Sequence, residues 1–112
     1  AGLAALAPQA DGAVAYFLRK LKETRDGESS LLDQCMIVYG SGIGDGNAHN
    51  HDNLPIVLAG GGYRHGEYRR LPASGANKVP LCNLFVSLAE RMGAKVDKFG
   101  DSTGTVSDSI FA

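Results

Sequence analysis

Two short runs of apolar residues, Cys35–Tyr39 and Pro55–Ala59, are separated by a polar segment in which Gly40, Gly42, Gly44 and Gly46 fall at alternate positions. Continuous apolar, partly β-branched runs of this length, bounded by turn residues, predict buried strands. The glycines between them allow sharp turns and close approach of a ligand to the backbone, so the connection predicts a loop. A strand that ends in glycines and then presents carboxylate, amide and imidazole groups beyond the sheet edge is how open α/β folds usually assemble a site.

The flanking segments supply helices. Asp11 is placed to cap a helix in which Val14, Phe17, Leu18 and Leu21 recur on one face, with Arg19, Lys20, Lys22 and Glu23 outward. That helix is expected to run to about Arg25 and stop at Asp26-Gly27. Ser29 and Ser30 precede a short helical turn over Leu31–Gln34. After Gly60-Gly61-Gly62, residues 63–77 read as an excursion with a short strand near Glu67–Leu71, rejoining the core at Val79. Pro80 suits a helix's first turn, and Leu81, Leu84, Phe85, Leu88, Ala89 and Met92 form the most regular apolar stripe in the chain. Gly93 is a natural stop, and the tail from Ala94 reads as irregular with few hydrophobic anchors.

Helix, strand, glycine/histidine loop, strand, excursion, helix and tail give an α/β class. Two core strands and two amphipathic helices make a sheet too narrow to cover both faces, because buried parallel strands need neighbours and helices on each side. Either the tail and excursion supply edge strands or, as is the expectation here, residues 1–112 are the C-terminal portion of one larger α/β domain with a mostly parallel sheet. The weakly apolar start lacks both Met and a positive segment, and reads as a cut end.

Charge and hydropathy narrow the function classes. A net charge of −1 over 112 residues, with Arg64, Arg69 and Arg70 diluted by Glu67, carries no nucleic-acid footprint. No apolar stretch approaches the roughly 20 residues of a membrane span. Cys35 and Cys82 read as buried free thiols, a disulfide between them being open from sequence.

Within the loop, Asp45, Asn47, His49 and His51 alternate, so in an extended segment their side chains project to one side, as in His-x-His metal chelates. Asp45, His49 and His51 are the candidate metal ligands. Zinc accepts carboxylate and imidazole together, whereas manganese or iron favours more oxygen, and calcium is a further candidate. Asp52 is the natural hydrogen-bond partner of a ligating imidazole, and Ser41, Asn47 and Asn53 are candidates to support the site or touch substrate. The bland reading is a polar surface turn whose Asn and Asp side chains bond the local backbone.

Other motifs say less. Ser41 is not in a nucleophile elbow, which needs glycine where Tyr39 and Ile43 stand. No Gly-Lys-Ser/Thr closes a phosphate loop. His65 with Arg64, Arg69 and Arg70 reads as an exposed charged loop before an anion site, and Asp101-Ser102-Thr103 as a cap or turn before a ligand contact. Met36 and Met92 read as core fillers.

The run from Leu32 to Gly62, with Asp45-Gly-Asn-Ala-His-Asn-His-Asp-Asn-Leu-Pro55 at its centre, resembles the C-terminal part of the bacterial family called domain of unknown function 1552. Pro80–Leu84, Glu90–Gly93 and Phe99–Gly104 resemble further blocks of that family in the same order. The resemblance implies a several-hundred-residue exported protein, periplasmic or extracellular, of the kind found in planctomycetes. It also implies a place in the alkaline phosphatase and sulfatase superfamily, whose fold is an α/β sandwich with a metal site at strand ends. The family's His-x-x-Ser-His-His motif is absent and would lie in an N-terminal portion that this chain lacks. That portion is the expected partner, with other envelope proteins as further ones.

By the same resemblance, the activity would be metal-dependent hydrolysis of phosphate or sulfate esters. Superfamily enzymes usually carry an Asp-His pair directly after the first of these strands. Ser41-Gly42 stands there instead, which leaves Asp45 as the substitute carboxylate and His49 or His51 as the later histidine. A noncatalytic structural or binding module of the cell envelope, with a degenerate site, is the alternative, and a self-standing small binding domain is a third.

Overall fold

A computed structural model describes residues 2–42, 47, 54–72 and 74–112, for residues 2–11 as backbone only. The chain is mixed α/β and divides into two compact units, Ala1–Gly62 and Tyr63–Ala112.

In the first unit, helix α1 spans Gly2–Glu23. It begins well before Asp11, so Asp11 is an interior residue and not the expected cap. The alanines and leucines of residues 3–10 are strong helix formers and carry the helix through Pro8. Arg19, Lys20, Lys22 and Glu23 are exposed as expected, but the apolar face is only half-buried at Val14, Leu18 and Leu21, and Phe17 is exposed. The Thr24 N–H and hydroxyl both donate to the Lys20 carbonyl, at 3.0 and 2.7 Å, and end the helix slightly early.

A small hairpin that periodicity did not reveal follows, with β1 (Arg25–Asp26) antiparallel to β2 (Ser29–Ser30). Ser30 is buried, and its hydroxyl accepts from the Asp33 N–H at 3.2 Å. That bond ties Ser30 to a 3-10 turn over Leu32–Gln34, the helical turn expected there.

Strands β3 (Met36–Gly40) and β4 (Ile56–Gly60) lie within one residue of their predicted positions. They pair antiparallel, in register from Met36 opposite Gly60 to Gly40 opposite Ile56. Between themselves they therefore do not form the parallel arrangement expected. Parallel neighbours need a crossover able to cover a sheet face, usually a helix, and the glycine-rich polar sequence between these strands has no apolar periodicity to supply one. Nor are the strands buried on both sides. Val38 and Val57 are 37% and 55% exposed and lie on opposite faces of the two-stranded ribbon.

The end of β4 is fixed by close backbone approach. The Gly61 N–H donates to the Leu32 carbonyl at 3.1 Å. A Cβ on Gly60 would collide with the Cys35 carbonyl, and one on Gly61 with the Asp33 carbonyl, so only glycine lets the strand pass under the 3-10 turn.

In the second unit, residues 64–78 form an exposed excursion, and Glu67–Leu71 is irregular rather than a strand. With Glu67, Arg69 and Arg70 charged, and Tyr68 and Leu71 three positions apart, it offers no alternating apolar face to bury. Helix α2 runs Cys82–Arg91, with the helical backbone already set at Leu81 and Pro80 just before it. Its C-terminus follows expectation. Gly93 takes φ +87°, its N–H donates to the Glu90 carbonyl at 3.0 Å, and the Ala94 N–H reaches Ala89 at 2.9 Å, which is a Schellman closure.

The buried face of α2 is not the apolar stripe. Asn83, Leu84, Val86 and Ser87 are buried, while Phe85 and Met92 are 38% and 76% exposed. At 100° per residue the buried set lies on nearly the opposite side, sharing only Leu84 with the stripe. Met92 is thus no core filler, and Met36 is only half-buried.

The tail is more ordered than its sequence suggests. Helix α3 spans Ser107–Ile110, Val106 is buried, and Phe111 forms a β-bridge with Tyr63. Those rings stack at 5.6 Å and 3°. Cys35 and Cys82 are free thiols and half-buried, less enclosed than predicted.

Candidate functional site

The β3–β4 ribbon defines where the glycine/histidine loop leaves and returns. Pairing continues to its last rung, Gly40 opposite Ile56, and one step beyond, where the Ser41 N–H donates to the Pro55 carbonyl at 3.3 Å. A Cβ on Gly40 would stand 2.5 Å from Ile56 Cδ1 and 2.8 Å from the Pro55 carbonyl oxygen, so glycine permits this closure. The two ends of the loop are thereby pinned side by side. Ser41 is half-buried there, and Asn47 is exposed.

Asp45, His49, His51, Asp52 and Asn53 lie outside the described residues. Among the described residues, no three His, Cys, Asp or Glu side chains come together to hold a metal ion. One carboxylate and two imidazoles is a donor chemistry that suits zinc and accommodates manganese or iron.

Two arginines of the basic excursion are engaged with different partners. Arg64 Nε donates to the Phe111 carbonyl at 2.7 Å, and the Arg64 N–H to the Ile110 carbonyl at 2.8 Å. Arg69 instead grips Glu67, with Nε and Nη2 at 2.9 and 2.8 Å from Oε2. The His65 ring sits edge-on to Tyr63 at 6.4 Å. Arg91 lies over the Phe111 ring at 4.8 Å, a cation–π contact that secures the C-terminal end.

Asp101-Ser102-Thr103 belongs to a structural clip, in line with its reading as a turn. Asn83 Nδ2 donates to Thr103 Oγ1 at 3.2 Å, and the Thr103 N–H donates back to Asn83 Oδ1 at 2.8 Å. One turn along α2, the fully buried Ser87 hydroxyl donates to the Asn83 carbonyl at 3.1 Å and accepts from the Val106 N–H at 2.8 Å. Ser102 Oγ accepts from the Phe99 N–H at 2.9 Å and closes the turn at Gly100, whose φ is +56°. A Cβ at Gly100 would stand 2.8 Å from Cys82 Sγ. Asp101 is exposed.

Sequence reasoning missed Asn83 and Ser87 because polar residues on an amphipathic helix are normally assigned to solvent. The available signal was their spacing of four, which puts an amide and a hydroxyl on one face away from the stripe.

Tyr63 is the remaining chemical oddity. It is 4% exposed, and its buried hydroxyl has no hydrogen-bond partner among the described residues. Burial pushes its pKa up, because the phenolate is costlier to desolvate than the phenol.

No helix among the described residues is long and apolar enough to cross a membrane. No family model, curated protein or solved structure matches this chain.

Proposed function

We propose that this chain is the C-terminal part of an exported, metal-dependent hydrolase of phosphate or sulfate esters, built on an alkaline-phosphatase-like α/β sandwich with a mostly parallel sheet. The observation that carries the reading is the pinned base of the loop. Strand pairing to Gly40 and Ile56, with the Ser41–Pro55 bond beyond it, holds both ends of a carboxylate- and imidazole-bearing segment at one end of the ribbon. A short closed loop reduces the entropy cost of bringing its donors together.

In this reading Asp45, His49 and His51 hold a divalent metal, and Asp52 orients one of the imidazoles by accepting its second ring N–H. The bound metal would polarise the ester oxygen and lower the pKa of a nucleophile. Asn47 and Asn53 offer amide donors to the non-bridging oxygens of the substrate, and Ser41 supports the loop base. Backbone N–H groups of the glycine-rich segment add anion-binding dipoles. The nucleophile comes from the N-terminal portion of the parent protein. Further strands from that portion flank β3–β4, and an antiparallel edge pair is compatible with an otherwise parallel sheet. Val38 and Val57, exposed on opposite faces of the ribbon, support such cover.

A noncatalytic envelope module is favoured by one detail. Ser41-Gly42 follows β3 directly, and the Ser41 backbone is engaged in closing the ribbon. Elemental analysis of the full-length parent beside His49→Ala/His51→Ala separates the readings. Near-stoichiometric metal that falls in the double variant, with turnover of phosphate or sulfate monoesters, is the expected result. Metal unchanged between the two proteins, or no metal in either, overturns the hydrolase reading.

A further inference from the structure

The excursion from Arg64 to Lys78 has no core to serve. Every described residue in it is exposed, and Tyr68, at 90%, is the most exposed of the large hydrophobic side chains. Both ends are nevertheless fixed. Arg64 is tied to Ile110 and Phe111, and the Val79 N–H closes onto the Pro72 carbonyl at 2.8 Å. Inside that frame, the Arg69 guanidinium bonds to the Glu67 carboxylate across Tyr68, so the two neighbours of the ring are tied together beneath it. An aromatic side chain held out in this way presents contact area whose ordering cost is reduced in advance.

The charges around it are one-sided. The segment carries four of the chain's eleven basic residues and one of its twelve acidic ones, so it is net +3 while the remaining residues together are net −4. Tyrosine and arginine are the side chains over-represented at the energetic centres of protein interfaces. Arginine's planar fork matches a carboxylate, and at this place Arg69 already holds one. A phosphodiester polymer fits less well, since Glu67 sits within the patch and the positive charge is sparse.

We infer that Glu67–Leu71 is a docking element for a carboxylate-rich protein surface. Tyr68 is the anchor, Arg70 takes a partner carboxylate, and Arg69 exchanges Glu67 for another. Leu71, 39% exposed, extends the apolar contact.

The test uses the full chain with dye-labelled poly-L-glutamate as the probe, read by fluorescence anisotropy at low salt. Tyr68→Ser and Arg70→Gln should each weaken binding about tenfold, whereas Lys20→Gln/Lys22→Gln, in the equally exposed basic end of α1, should change it by less than about twofold. Circular dichroism confirms that the folds match. No binding of poly-L-glutamate, an equal loss in the α1 variant, or tighter binding of polyuridylate than of poly-L-glutamate overturns the proposal. The last result would point to nucleic acid instead.

Discussion

The two units solve the same problem in opposite ways. Among the described residues, the buried apolar side chains Tyr63, Leu84, Val86 and Val106 all belong to the second unit, where polar groups on α2 are matched atom for atom by the tail. Among the residues of the first unit whose side chains are described, none is a buried apolar one, and its strands leave valines open on both faces. The second unit is thus specified by hydrogen-bond complementarity around a small core. The first is specified by backbone geometry, through strand pairing and the Gly60-Gly61 passage, and leaves Val38 and Val57 exposed. Buried polar networks raise specificity only when every member is satisfied, and the Asn83–Thr103 and Ser87–Val106 pairs meet that condition.

The sharpest way to break the first unit is at its backbone crossing. Gly61→Ala drives a Cβ into the Asp33 carbonyl, a contact that only backbone movement relieves. It should cost about 3 kcal/mol or more, read as a fall in the denaturant midpoint. In the second unit, Asn83→Ala removes both bonds to Thr103 and should cost about 2 kcal/mol. Ser87→Ala strands the Val106 N–H in a buried place and should cost about 1–2 kcal/mol. Equal losses for Asn83→Ala and an exposed control such as Glu90→Ala would remove the case that hydrogen-bond complementarity specifies the second unit.

Smaller effects sharpen the comparison. Tyr63→Phe deletes a buried hydroxyl that has no partner among the described residues, so it should be neutral or stabilising by about 1 kcal/mol near neutral pH. Its pH dependence has a definite sign. The folded-state pKa lies above the unfolded value of about 10, so between the two the native state holds more protons than the unfolded state. Stability therefore falls as pH rises above about 10, and the fall levels off only above the raised folded value. Chemical denaturation from pH 8 to 11 should show a slope in the wild type that is weaker in Tyr63→Phe.

Val57→Thr should change the stability of this chain by less than about 0.5 kcal/mol, as expected of an exposed position. In the proposed full-length parent, where the ribbon is covered, the same change should cost about 1 kcal/mol or more. Equal effects in both contexts would mean that the face stays open.

What the sequence disclosed follows the same division. Continuous apolar runs located β3 and β4 to within one residue, and Gly93 and the Leu31–Gln34 turn were legible because their backbone chemistry is local. Strand direction was not legible, since an apolar run reads the same in parallel and antiparallel pairing. The face of α2 was misread for a related reason. Hydrophobic periodicity reports where apolar groups are, whereas Asn83 and Ser87 are buried by partners 19 and 20 residues away that no local pattern reveals. Of the candidate site residues only Ser41 and Asn47 lie within the described chain, and the Ser41 N–H closes the base of the loop onto the Pro55 carbonyl.

Side-chain complementarity locks α2 to the tail, whereas backbone geometry frames the ribbon. Amide hydrogen exchange at Thr103 and Val106, compared between the wild type and Asn83→Ala, tests the lock most directly. The account predicts strong protection of both amides in the wild type and its joint loss in the variant. Rapid exchange of these amides in the wild type, or protection that survives Asn83→Ala, would contradict it.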